Sequence, residues 1–265
     1  MNTLPKCTLV TSTYNWPEAL ELLLLSTMKQ SVLPDEVIVA DDGSTEKTRQ
    51  LIEHFKKIFP VPLHHVWQED KEFRKAKIMN KAIAKARYDY IVEIDGDIIL
   101  HPRFVEDHLR FAEKGHYLFG SRVNIQENLL PELFAKKQTT FHFFSKGIKK
   151  RSRTLRLPFL MNFAKSTDTI SLKLRGCNMS FWRNDFISIN GFNESFEGWG
   201  NEDSEMIQRL HNSGIKGKRL KFAGIVYHIY HKVKNKNKVK TNREIEKKTT
   251  AKKIIFTEEG IDKYL

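Results

Sequence analysis

Apolar positions fall into short runs separated by breaks rich in acids and glycine. Residues 7–13 (CTLVTST) form a β-branched run with strand character. Pro17 then opens a stretch of helical composition that runs to about residue 30. Strand-like runs recur at 36–40 (EVIVA), 62–67 and 88–94 (YDYIVEI). Between them, 46–58 carries Leu51, Ile52, Phe55 and Ile58 at helical spacing, and 75–86 (KAKIMNKAIAKA) predicts another helix. A helix over 102–114 and a strand over 116–124 follow. Strands alternating with helices predict a mostly parallel, doubly wound sheet with flanking helices. Ligands of such sheets sit beyond the carboxyl ends of the strands. Tyr14, Asp41, Asp42, Asp95 and Asp97 all fall at that edge.

From 125 to 174 the periodicity fades. The stretch TTFHFFSKGIKKRSRTLRLPFL mixes aromatics with cations and predicts a mobile, basic, partly helical flap. The pattern resumes with a strand at 175–182, helices at 183–190 and 202–212, and a last strand at 220–227. After His231 the composition turns to Lys, Asn and Thr, which predicts a loosely ordered tail. The expected organisation is one domain over 1–231, with halves 1–124 and 175–231 around the flap, and a basic tail over 232–265.

Composition changes this picture in two ways. The 265 residues include only two cysteines, far apart, which excludes a disulfide scaffold and any cysteine-based zinc site. No stretch reaches the roughly 20 apolar residues that span a bilayer, and no secretory signal is expected, so the chain is expected to be cytoplasmic. The net charge of +13 is segmental: 136–175 carries +10 and 232–253 carries +8, leaving the remainder at −5. Such segments predict peripheral contact with an anionic membrane, contact with nucleic acid, or plain solvation.

Four constellations carry candidate chemistry. Asp95-Gly96-Asp97 ends an apolar strand, and two carboxylates across a small residue suit Mg²⁺ or Mn²⁺ with phosphate oxygens, although DGD alone also makes a turn. Asp41 and Asp42 end another strand, where Ser44 or Thr45 can cap the next helix but two adjacent acids are left without a structural reason. In GFNESFEGWGNED, glycines flank Trp199, and Glu202 and Asp203 open a helix. They read either as first-turn acids complementing the helix dipole or as a general base beside a sugar-stacking tryptophan. His228 and His231, in YHIYH, are plausible metal ligands only alongside such acids.

In the order TSTYN, VADDGST, IDGD, GCNMSFWR, GFNESFEGWGNED and YHIYH, the chain resembles family 2 glycosyltransferases from about residue 7 to residue 231. The GWG-x-ED segment is similar to that of β-galactosyl- and N-acetylhexosaminyl-transferring enzymes, including the bacterial chondroitin-polymerase type. The resemblance implies the GT-A nucleotide-diphosphosugar transferase fold and an inverting, metal-dependent transferase using a UDP-sugar donor. It implies that Thr11 and Tyr14 flank the uracil, that Asp41 (preferred) or Asp42 accepts from its N–H, and that Arg74 packs near the base. It further implies Asp95 at the ribose, Asp97 and His228 as ligands of Mn²⁺ or Mg²⁺ with His231 as the substitute, Asp203 as the base, and Glu202 and Trp199 at the acceptor. No Gln-x-x-Arg-Trp motif follows the ED pair, so a single sugar addition to a glycan or lipid-linked acceptor is expected, in bacterial surface polysaccharide or lipo-oligosaccharide synthesis. The alternative is a basic nucleic-acid-binding protein without catalytic activity, which leaves the acid-rich strand ends unexplained.

Overall fold

A computed structural model describes residues 3–171, 173–174, 176–232 and 237–265. Residues 1–2, 172, 175 and 233–236 lie outside the described residues, the last three groups falling in the expected flap, the expected strand 175–182 and the expected tail.

The first half follows its apolar pattern. Strand β1 (Cys7–Thr13), helix α1 (Pro17–Met28), β2 (Glu36–Asp41), α2 (Glu46–Lys56), β3 (Leu63–Trp67), α3 (Lys75–Ala84) and β4 (Tyr90–Asp95) succeed one another. β1 pairs in parallel with both β2 and β4, and β2 with β3, which is what right-handed crossovers through helices produce. β1, β2 and β4 are apolar because helices cover both faces, and their core residues have essentially no exposed surface.

Then come β5 (Ile98–Leu100), α4 (Phe104–Arg110), β6 (His116–Phe119), β7 (Arg122–Ile125), α5 (Leu130–Ala135), β8 (Ile148–Lys149), β9 (Ser166–Thr167), β10 (Asn178–Trp182), α6 (Arg183–Ser188), α7 (Glu202–Asn212), β11 (Lys216–Arg219), β12 (Val226–His228) and α8 (Val239–Ala251). The large sheet has the order β3-β2-β1-β4-β10-β6-β11-β9, with β10 antiparallel between β4 and β6. A second sheet, β5-β12-β7-β8, closes one side of the strand ends.

The expected strand 116–124 is two strands in two sheets. The break falls at Gly120, where a Cβ would lie 2.2 Å from the Asn178 amide. That amide donates to the carbonyls of Ser121 and Gly224, holding the chain as it changes sheet. Of the expected strand 220–227 only its end is strand, as β12, and β11 (Lys216–Arg219) lies before it. The tail departs most from expectation: past the residues outside the description, it forms α8, which packs against α7. No helix among the described residues is long and apolar enough to cross a membrane.

Candidate active site

The ends of β1 and β4 lie side by side, with Ser12 in register with Asp95. Gly96 lets the chain turn there, because a Cβ would sit 2.4 Å from the Ser12 carbonyl oxygen. Beyond this edge opens a cavity of about 570 Å³. Ser12, Thr13, Tyr14 and Asp42 line one end, Asp97, Arg122, His228 and His231 another, and Trp199, Glu202 and Asp203 the third.

The acids after β2 divide their work. Asp41 accepts from the Ser44 N–H at 2.8 Å and bonds His65 Nε2 at 2.9 Å, which occupies both oxygens inside the turn. Asp42 is the one that reaches the cavity. Gln68 Nε2 and the Arg74 N–H donate to it at 2.6 and 2.8 Å, and burial raises its carboxyl above the usual range. Asp41, preferred from the sequence, does not line the cavity, and Asp42 does. Arg74 meets the site through its main chain, while its guanidinium donates to the Glu69 carbonyl. Thr11 does not line the cavity either. It is sealed within the sheet, and Thr13, two residues on along the same face of β1, lines the cavity. Tyr14 stands at the rim, its hydroxyl donating to Asp70 at 2.9 Å.

At the second end, Asp97 Oδ2 lies 3.4 Å from His228 Nε2 and 3.2 Å from His231 Nε2. The other oxygen of Asp97 is buried without a hydrogen-bond partner. Ligand atoms of all three residues fall within 4.8 Å of one another. Both histidines thus stand beside Asp97. Burial lowers the His228 pKa, keeping the ring neutral and able to coordinate. Trp16 packs edge-on against His231 at 6.2 Å and fixes its plane.

At the third end stands a residue that the sequence analysis did not single out. Lys75 Nζ lies 2.9 Å from Asp95, 3.4 Å from Asp203 and 3.8 Å from Glu202. Burial alone would lower its pKa, but Asp203, Asp95, Glu202 and Glu93 together hold it well above the ordinary value. The same ammonium outweighs burial at Asp95 and keeps that carboxyl below its usual range. Burial prevails at Asp203, which is raised, and at Glu202, which burial and the neighbouring Asp203 push up to about 7. Gly176 makes room for Asp203: a Cβ there would lie 1.6 Å from the Asp203 carboxylate. The signal for Lys75 was present in the pattern. It shares the stripe 75, 78, 79, 82 with Ile78, Met79 and Ala82, all buried, and a lysine on a core-facing stripe needs a buried partner. Arg122, also at the cavity, carried no such mark.

Residues 8–170 match the family model described as glycosyl transferase family 2, and residues 163–232 match one described as the N-terminal domain of galactosyltransferase. The chain belongs to glycosyltransferase family 2 and is a glycosyltransferase, which removes the non-catalytic nucleic-acid reading. Among its relatives, chondroitin synthase of Escherichia coli is 25% identical over 83% of this chain and 34% of that protein. Validoxylamine A glucosyltransferase of Streptomyces hygroscopicus subsp. limoneus is 28% identical over 80% of this chain and 49% of that protein. The chain thus spans between about a third and a half of the length of these relatives. The crystal structure of S. aureus TarS 1-349 in complex with UDP superposes with a TM-score of 0.64 at 15% identity, covering 98% of this chain and 68% of that one. That likeness establishes the GT-A fold.

Proposed function

We propose that the chain moves one hexose or N-acetylhexosamine from a UDP-sugar to a glycan or lipid-linked acceptor, with inversion at the anomeric carbon, in bacterial surface polysaccharide or lipo-oligosaccharide synthesis. The observation that carries this reading is the meeting of Asp95, Asp203 and Glu202 around Lys75 on one wall of a cavity whose other end holds Asp97 and two histidines. That arrangement sets a candidate base close to the donor-side acid, and a direct displacement needs its two reactants held close and oriented. The relatives named for chondroitin and validoxylamine A glucoside synthesis, and the UDP in the TarS complex, support the same donor and acceptor classes.

In this reading Asp42 accepts from the uracil N–H, with Thr13 and Tyr14 beside the ring, and Asp95 accepts from the ribose. Asp203 takes the proton of an acceptor hydroxyl; that oxygen bonds to the anomeric carbon as the bond to UDP breaks, so an α-linked donor yields a β-linked product. Glu202, protonated over much of the neutral range, donates to an acceptor oxygen, and Trp199 offers its face to the acceptor sugar. Arg122 lies on the wall where the diphosphate departs and opposes its charge.

Asp97, His228 and His231 fit a divalent cation: one carboxylate oxygen lacks any protein partner, and the donor atoms converge. Two imidazoles favour Mn²⁺ over Mg²⁺, which prefers an all-oxygen shell. When bound, the ion neutralises charge on the leaving diphosphate. The test is calorimetric titration of UDP into the protein with and without Mn²⁺, beside Asp97→Ala. Metal-dependent binding lost in the variant is expected, and absence of UDP binding under every metal condition overturns the donor assignment.

A further inference from the structure

Phe143, Phe144, Leu155, Leu157, Phe159 and Phe163 are exposed large apolar side chains within 21 residues of one another in a chain whose core is otherwise well covered. They fall inside the segment that carries +10. Exposed aromatics costing free energy in water, interleaved with cations, are what an amphipathic interface presents.

The most built part of this surface is the turn at 142–151. The Ser145 N–H donates to the His142 carbonyl at 3.0 Å, and the His142 N–H donates to Ser145 Oγ at 2.9 Å. Arg151 reaches back to donate to the carbonyls of Phe143 and Ser145. Ile148 is buried beneath, so the turn is anchored while its tip projects. At that tip the rings of Phe143 and Phe144 meet edge to face at 5.2 Å, and Phe144 is 80% exposed. Lys146, Lys149 and Lys150 are exposed around them.

The turn is also close to the chemistry. His228 pairs with Asn124, and Asn124 pairs with Lys149, so Lys149 is two strands from a candidate metal ligand. At about 4.8 Å per strand that is about 10 Å. Phe141, which leads into the turn, packs on Tyr227 at 4.8 Å, next to His228.

We propose that the 142–151 turn docks the protein on an anionic phospholipid surface, with Phe143 and Phe144 entering the headgroup–acyl boundary and the lysines meeting lipid phosphates. A surface that offers rings and ammonium groups together matches a bilayer, whose acyl boundary takes the rings while its phosphates take the charges. Docking there brings the cavity mouth to membrane-bound acceptors. Only this last orientation rests on the functional reading above; the membrane contact is independent of it.

Co-sedimentation of the full chain with vesicles of phosphatidylcholine, and of phosphatidylcholine mixed with phosphatidylglycerol, tests the idea. Binding is expected only to the anionic vesicles. Phe143→Ser with Phe144→Ser lowers it more than tenfold, since two buried rings are lost. Lys146→Glu with Lys149→Glu lowers it by at least a factor of about five per lysine. Unchanged circular dichroism and thermal unfolding in all variants certify their fold without reference to the donor, so failure here stays distinct from failure of the donor assignment. Binding indifferent to anionic lipid, or unaffected by either pair of substitutions, overturns the proposal. So does a dimer in sedimentation velocity that the phenylalanine substitutions split, if vesicle binding is absent, because the face is then a self-interface.

Discussion

In the proposed reaction, Lys75 sets how Asp203 serves as the base. Burial works against the ionised carboxylate, and the ammonium 3.4 Å away opposes that effect. A base must be ionised to accept a proton, so the acidic limb of the pH–rate profile tracks the Asp203 pKa. Lys75→Met removes the opposing charge and raises that pKa further. The limb moves to higher pH, and activity at a fixed pH on the limb falls about tenfold for each unit of displacement. Lys75→Arg keeps a charge and holds the limb near its original position. Profiles of kcat/KM between pH 5 and 9 read this directly, and an unmoved limb in the methionine variant shows that Lys75 does not set the base. At this scale the carboxylates were legible in the sequence because they end buried strands of an alternating α/β pattern, where such sheets place their ligands. Lys75 was overlooked because α3 also carries solvent-facing lysines of the same type. Thr11 and Asp41 fall one or two positions short of the cavity: Thr13 shares a strand face with Thr11, and only the place where the strand ends decides which one lines it.

The elements of the first half were legible because β1, β2 and β4 are covered on both faces and α2 and α3 carry apolar stripes. Helix α8 was not, and the reason lies in how it binds. Its buried residues are Asn242 and Thr249, with Ile245 packed against the core, so no apolar stripe marks it and its lysines dominate the reading. It holds the active-site loop by polar contacts. Asn242 Nδ2 donates to the carbonyls of Glu197 at 3.1 Å and Gly200 at 2.9 Å, on either side of Trp199. Glu246 accepts from Asn201 at 2.6 Å, and Thr249 donates to Glu205 at 2.9 Å. Both family matches end by residue 232, so this brace lies beyond them. Asn242→Ala leaves two loop carbonyls without a donor, a cost of about 1–3 kcal/mol in stability. UDP affinity is expected to stay as it was, because α8 bonds the 197–201 loop and α7 and not Asp42 or Asp95, while the acceptor KM rises or kcat falls as Trp199 and Asp203 lose their frame. Asn242→Asp behaves like the alanine variant, since a carboxylate cannot donate to a carbonyl. Equal losses in donor and acceptor binding contradict a brace specific to the loop.

For the molecule as a whole, the active site is a store of electrostatic cost that the rest of the fold sustains. Glu202 has a folded pKa of about 7 against an ordinary value of 4.5, raised by burial and by the neighbouring Asp203. The folded chain therefore keeps a proton that the unfolded chain has released between those two values. Stability from this group is complete below about pH 4.5, falls as pH rises toward 7, and is fully lost above it. At 1.36 kcal/mol per unit the loss is about 3 kcal/mol at pH 8. Glu202→Gln removes the titration while keeping a similar shape and hydrogen-bonding capacity. The variant is expected to be more stable than the parent by about 3 kcal/mol at pH 8, a rise in Tm of several degrees at about 2–4 °C per kcal/mol. The gap closes as pH approaches 4.5. Thermal unfolding of both proteins without nucleotide, at pH 8 and at pH 4.5, decides it: an offset of the same size at both values means that Glu202 is not the group holding the proton. The gain in stability is expected to come with a loss of transfer, because an amide replaces the carboxylic O–H that donates to the acceptor oxygen. The carboxylates crowded around one ammonium are thus retained against the stability of the fold, and the interactions that offset them are spread from the β4 edge to the α8 brace.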